Sequence, residues 1–208
     1  MRQCIFVVGT RPELVSIAPV LQAAAQSGLR HTVWFTGENR DPIDDVVRDF
    51  ALKSIFVLPK DPVERSGIGK RLRWLPSTLW FSSTLWFPST IYRCFHYING
   101  VKLWTSKRPL VIVHGDTLST LLGAVAGHWA GGDIVNLESG SSSGQRVGPF
   151  PQAVWRRMIH KRTRYAFCPD EAAAARMRRY PGCIVEVGPS PVNRLLRWAG
   201  ANEKNASA

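Results

Sequence analysis

The chain has 208 residues, 45% of them hydrophobic and 20% charged. That is enough for one full-sized domain with its own core, and too apolar for a disordered chain. Twenty-seven Lys and Arg against fifteen Asp and Glu leave a net charge of +12, which points to an anionic partner: nucleic acid, anionic lipid or a phosphorylated small molecule. The charge is clustered: Arg65–Gly115 carries eight basic residues and no acid, and Ser139–Pro169 six and none. Arg30–Glu64 is balanced or acidic by contrast. No apolar run is long enough to read as a membrane-spanning helix, and no signal-peptide pattern is visible. Cys4, Cys94, Cys168 and Cys183 have no metal-ligand spacing and read as free core thiols of a reducing compartment. No metal site is expected, and a cytoplasmic setting is.

The elements follow in chain order. Cys4–Val8 is a short apolar run that reads as a buried parallel strand ending in Gly9-Thr10-Arg11-Pro12-Glu13. Pro12 suits the first turn of a helix, and Leu14, Ile17, Ala18 and Leu21 repeat on one face of it. Thr32–Phe35 predicts a second strand, Asp44–Phe50 a helix and Ile55–Leu58 a third strand. Arg108–Gly115 reads as a strand ending at Asp116-Thr117, Leu118–His128 as a helix, and Asp133–Leu137 as a strand ending at Glu138. Gln152–Lys161 reads as a basic helix, Tyr165–Cys168 as a strand, Glu171–Arg179 as a helix capped by Asp170, and Cys183–Val187 as a last strand. Strands alternating with helices predict an α/β fold, a single Rossmann-like, doubly wound parallel sheet. In such sheets ligands sit beyond the carboxyl ends of the strands, where Gly9–Glu13, His114–Thr117, Glu138–Gly144 and Gly188–Ser190 should converge.

One stretch breaks the pattern. Over about 67–107 the chain reads as an insertion: Lys70, Arg71, Arg73 and Trp74, then a tandem hexapeptide, PSTLWF and SSTLWF, that carries Trp80 and Trp86. Two copies are too few for a solenoid. A six-residue spacing sets successive tryptophans about 240° apart on a helix, so no single face collects them. The stretch is apolar all round, flanked by cations and cut by prolines. Three readings stand side by side: a helix–loop insertion packed on the sheet, an interfacial element with Arg71, Arg73, Trp74, Trp80 and Trp86 on an anionic membrane surface, or a docking face for a protein partner.

The ordered motifs carry a resemblance. Gly9-Thr10-Arg11-Pro12-Glu13, Thr36-Gly37-Glu38-Asn39-Arg40, Val113-His114-Gly115-Asp116-Thr117, Glu138-Ser139-Gly140, Pro149-Phe150-Pro151 with Arg156, and Gly188 resemble the amino-terminal half of the non-hydrolysing UDP-N-acetylglucosamine 2-epimerases. Each motif alone is weak; the ordered set is strong. The resemblance implies one half of a glycosyltransferase-B architecture. It also implies interconversion of UDP-N-acetylglucosamine and UDP-N-acetylmannosamine by elimination and re-addition of UDP, without a cofactor. That chemistry needs a base for the C2 proton, an acid for its return, and cations for the leaving diphosphate. Carried over residue by residue, Asp116 and Glu138 correspond to catalytic carboxylates, and His114 stands where it would orient Asp116. Arg11 corresponds to the arginine near the diphosphate, with Gly9 and Thr10 in its turn, and Arg156 to a basic residue of the cleft. The competing reading makes Asp116 and Glu138 helix caps and Arg156 part of a solvated face.

The departures are specific. Ser16 stands where the family has a lysine, Ser142 where it commonly has an arginine, and Gln152 where it has the third catalytic carboxylate. Glutamine keeps the shape and hydrogen bonds of glutamate but takes no proton from carbon. The resemblance runs to Gly188–Leu196, so residues 1–198 read as the domain and 199–208 as a polar tail. The expectation is a UDP-sugar domain that needs a second half from a protein partner, or a homo-oligomer, and is inactive alone. Alternatives are the membrane-associated, acceptor-side half of a split glycosyltransferase and a non-catalytic binding domain. Nucleic acid is the weakest of the anionic partners, because no recognition motif accompanies the charge.

Overall fold

The computed structural model describes residues 2–37, 42–52, 55–57, 76–105, 107–141 and 152–188, the side chains at 56, 57, 76–89, 104 and 152 excepted. Strands β1 (Cys4–Val8), β2 (His31–Phe35), β3 (Ile55–Val57), β4 (Leu110–His114), β5 (Asp133–Leu137), β6 (Thr163–Cys168) and β7 (Ile184–Val187) alternate with helices. These are α1 (Arg11–Gln26), α2 (Asp44–Asp49), α3 (Pro76–Thr105), α4 (Leu118–Trp129), α5 (Gln152–His160) and α6 (Glu171–Met177). The seven strands form one sheet in the order β3-β2-β1-β4-β5-β6-β7. Every pairing is parallel, as the α/β reading requires.

The strands are apolar because both faces are covered. All five residues of β1 are buried. Phe6 and Val8 join Leu14, Ile17 and Leu21 of α1 on one side. Ile5 and Val7 join Cys94 and Ile98 of α3, Leu122 and Val125 of α4 and Ile159 of α5 on the other. A smaller cluster lies between α6 and the last strands, through Ala166, Cys168, Ala173, Ala174 and Met177. Burial pushes the thiols of Cys4 and Cys168 up to about 11 and that of Cys94 to about 12, which leaves them packing groups at neutral pH.

The stretch set apart above as an insertion needs correcting. Prolines do not cut it over the described residues: α3 runs through Pro88. Its second half is an ordinary crossover between β3 and β4. Thr90, Cys94 and Ile98 are buried, and Tyr97 lies against Trp34 of β2 with ring centroids 4.8 Å apart. The first of the three readings, packing on the sheet, describes Thr90–Val101; in the sequence the apolar spacing of that half is masked by the hexapeptides before it, where no face stands out. Arg71, Arg73, Trp74 and the tail 199–208 lie outside the described residues.

The sheet changes direction between β1 and β4, and α4 lies across that seam. A methyl on Gly123 would sit 2.8 Å from Val113 Cγ1 and 2.9 Å from Val7 Cβ. One turn on, a methyl on Gly127 would sit 2.7 Å from Ile134 Cδ1. The two glycines let the helix backbone approach the strands. Gly123→Ala is expected to cost about 1–3 kcal/mol through overpacking. Gly100→Ala, in α3 with nothing within 4 Å of the added carbon, should be neutral or stabilising by up to about 1 kcal/mol. Urea unfolding of the two variants beside the parent chain measures both, and equal midpoints would contradict the close-approach account.

Candidate functional site

Three turns meet at the carboxyl rim beside the seam. The first follows β1. Thr10 caps α1, its side chain accepting from Glu13 N, while the Glu13 carboxylate accepts from the Gly9 amide at 2.8 Å and the Thr10 amide at 3.3 Å. This is a capping box with Pro12 in the first turn. Its consequence is that the Gly9 and Thr10 amides, candidates for ligand contact, are taken by a buried carboxylate of the same turn. Arg11 reaches sideways and pairs with Asp45 of α2 at 2.5 Å, both side chains about two-fifths exposed (41% and 40%). Ser16, at the position of the family lysine, is exposed on α1.

The second turn follows β4. Gly115 takes a left-handed φ of +73°, Thr117 caps α4 by accepting from Thr120 N, and the Thr120 hydroxyl donates back to His114 O at 2.5 Å. Asp116 therefore does not serve as the cap. It is held by Arg156 of α5, whose Nε and Nη2 donate to Asp116 Oδ2 at 3.1 and 2.5 Å. Two sequence-predicted residues 40 positions apart are thus brought together. Gln152 starts the same helix.

The third turn follows β5. Glu138 is half-exposed and has a φ of +55°, a left-handed conformation that costs a non-glycine residue about 1–3 kcal/mol and is tolerated where the surroundings enforce it. Those surroundings are visible. The Ser139 amide donates to Phe167 O at 2.9 Å, and Arg176 Nε donates to Gly140 O at 2.7 Å. Gly140 packs so close to α6 that a methyl there would lie 2.6 Å from Ala173 O. His114 Nε2 stands 3.4 Å from Glu138 Oε2. The expected partnership of His114 with Asp116 is therefore replaced by one with Glu138. The reason is the pleat: His114 and Leu137 are register partners on β4 and β5, so the side chain ending β4 meets the turn ending β5, while Asp116 lies beyond Gly115 and turns to α5.

Sequence reasoning missed three features. The Thr36 and Ser119 hydroxyls meet at 2.7 Å in the interior and tie the end of β2 to the first turn of α4. Asn136, wholly buried on β5, has neither side-chain polar atom hydrogen-bonded, and His114 Nδ1 and Ser139 Oγ are likewise without partners among the described residues. His160 is buried in α5 and meets Tyr180 edge-on, centroids 5.4 Å apart. No local pattern marks a lone serine, asparagine or histidine as a buried polar contact. Among the described residues no three His, Cys, Asp or Glu side chains gather as metal ligands would.

A family model described as UDP-N-acetylglucosamine 2-epimerase matches residues 98–206. The chain belongs to that family. It is 28% identical over 174 residues to a probable UDP-N-acetylglucosamine 2-epimerase of Ralstonia solanacearum, covering 82% of this chain and 40% of the relative. It is 27% identical over 176 residues to the UDP-N-acetylglucosamine 2-epimerase of Yersinia pestis, covering 83% and 41%. The chain thus spans about two-fifths of the length of the curated relatives it matches. Among solved structures, it superposes on the Neisseria meningitidis UDP-GlcNAc 2-epimerase bound to UDP-GlcNAc with a TM-score of 0.64 at 20% identity, over 89% of this chain and 46% of that one. The Methanocaldococcus jannaschii enzyme in complex with UDP-GlcNAc and UDP gives 0.61 at 20%, over 90% and 46%. At these identities the superpositions show a common fold.

His160 yields a test of the rim's electrostatics. Burial and then Arg156 push its imidazole down to about 4, Arg176 adding in the same direction and Asp116 opposing. A histidine depressed in the folded state binds its proton more readily when unfolded, so stability is lost as pH falls from the ordinary value near 6.5 toward 4. The loss should approach about 3 kcal/mol at the acid end of that window. Comparing urea midpoints at pH 7 and 4.5 for the parent chain and His160→Gln checks this. The variant should lose markedly less on acidification, and an identical loss would show that His160 is not the group responsible.

Proposed function

We propose that this chain forms the part of a UDP-N-acetylglucosamine 2-epimerase-type site that handles the sugar ring, and that a second half from another polypeptide segment completes it. One juxtaposition supports the reading. Asp116 and Glu138 follow neighbouring parallel strands beside the sheet's switch point, where ligands of such folds sit, and each is met by a group from elsewhere in the fold, Arg156 and His114.

The chemistry asks a carboxylate to take the C2 proton while the C1–O bond breaks, the electron pair leaves with UDP, and a C1–C2 double bond remains. Reversal with the proton delivered to the opposite face inverts C2. Glu138, half-exposed and 3.4 Å from an imidazole nitrogen, is open to such a substrate. Asp116 is tied to Arg156. A diphosphate drawn to Arg156 would loosen that pair and free the Asp116 carboxylate to face the substrate. Arg11 offers a second cation once parted from Asp45. Gln152 removes a third proton acceptor, which supports dependence on a partner. It equally suits the runner-up reading, in which the chain is the acceptor-side half of a split glycosyltransferase and needs no C2 proton transfer.

Deuterium incorporation at C2 of UDP-N-acetylglucosamine, followed by NMR in deuterated water, separates these. Exchange is expected only when cell extract accompanies the purified chain. It should fall by about a hundredfold or more with Asp116→Asn or Glu138→Gln and rise with Gln152→Glu. Turnover by the purified chain alone would overturn the dependence on a second half. Binding of the nucleotide sugar with no exchange in any arm would overturn the epimerase reading in favour of a transferase or binding domain.

A further inference from the structure

Helix α3 is longer than the sheet can use. The helix has 30 residues and is about 45 Å long at 1.5 Å per residue. The strands of the sheet have 3 to 6 residues, so none is longer than about 20 Å. The described α3 residues that pack on the sheet run from Thr90 to Val101, a length that matches the strands. Pro76–Ser89 precedes them and accounts for about 21 Å more. Because α3 leads directly into the amino end of β4, that excess lies toward the carboxyl rim, the edge that carries Asp116 and Glu138.

The sequence of the excess is PSTLWFSSTLWFPS, without a charge. At 100° per residue its Leu, Trp and Phe positions fall around the whole circumference, so no rotation of the helix turns all of them toward one neighbour. In the sequence Arg65, Lys70, Arg71 and Arg73 precede the excess and Arg93 follows it, with no acid between Arg65 and Arg93. Tyr92, three residues beyond the excess on α3, is 64% exposed. Two copies meeting through such a face would bring like charges together, which disfavours association. A surface that is apolar at depth and anionic at its face complements it, and Trp is the side chain most suited to that boundary. No helix among the described residues is long and apolar enough to cross a membrane, so the element would lie on the surface. We propose that Pro76–Ser89 docks on an anionic lipid bilayer and holds the carboxyl rim against it.

Vesicle sedimentation tests this with the full chain. Binding is expected to vesicles of phosphatidylcholine mixed with phosphatidylglycerol and not to phosphatidylcholine alone, and it should weaken as salt is raised. Brominated lipid should quench tryptophan emission in the parent chain. Trp80→Ser combined with Trp86→Ser should weaken binding at least about tenfold with an unchanged circular dichroism spectrum. The quenching measurement needs no variant and stands if the double variant fails to fold. Equal binding to both vesicle types, binding without quenching, or undiminished binding by a folded double variant would overturn the proposal. So would a concentration-dependent dimer in sedimentation velocity that the double substitution abolishes, which would assign the element to a second copy.

Discussion

Between β1 and β4 the chain reverses the direction in which it adds strands, and α4 has to lie across that seam with its backbone almost touching Val7 and Val113. Gly123 makes the approach close enough for both strands to be covered by one helix. The height of α4 above the sheet then fixes where its first turn stands. Thr117 caps it, Ser119 reaches Thr36 at the end of β2, and Asp116, just outside the cap, is presented to Arg156. A helix held off by one methyl group would move all of these contacts together, because protein interiors transmit such displacements instead of absorbing them.

Much of this was legible from residue order. Parallel strands buried on both faces read as unbroken apolar runs, and CIFVV, LVIVH and DIVNL coincide with β1, β4 and β5 within a few residues. The cap at Asp170 follows from short-range hydrogen-bond chemistry that needs no knowledge of the rest of the fold, while Thr10 and Thr117 emerge as caps from the structure. What failed was pairing across the sheet. That His114 meets Glu138, and not Asp116 two residues away, depends on the register of β4 against β5, which no local pattern contains. That Arg11 meets Asp45 depends on where α2 packs. The second half of α3 was hidden by its neighbour: an apolar stretch without a preferred face masks the amphipathic helix that continues from it.

The positive charge divides into two kinds. Some of it is spent: Arg2 pairs with Asp133, Arg11 with Asp45, Arg156 with Asp116 and Arg178 with Glu171, while Arg176 holds the Gly140 carbonyl. Exposed pairs of this sort add at most about 1 kcal/mol each, so their main effect at the rim is on geometry and on what an incoming anion must displace. Much of the remainder is concentrated in sequence stretches that contain no acid, which gives those stretches a net positive field.

The turn that opens α1 has a consequence for how an anion meets this surface. In many sheets of this architecture the first glycine-containing turn is a receptor for phosphate, its amides and the helix dipole left open for that purpose. Here Glu13 already sits on the Gly9 and Thr10 amides, so the positive end of α1 is answered from within the chain before any ligand comes. On the proposed function, a diphosphate would then be met by side chains, Arg156 and Arg11, and not by the main-chain amides of this turn.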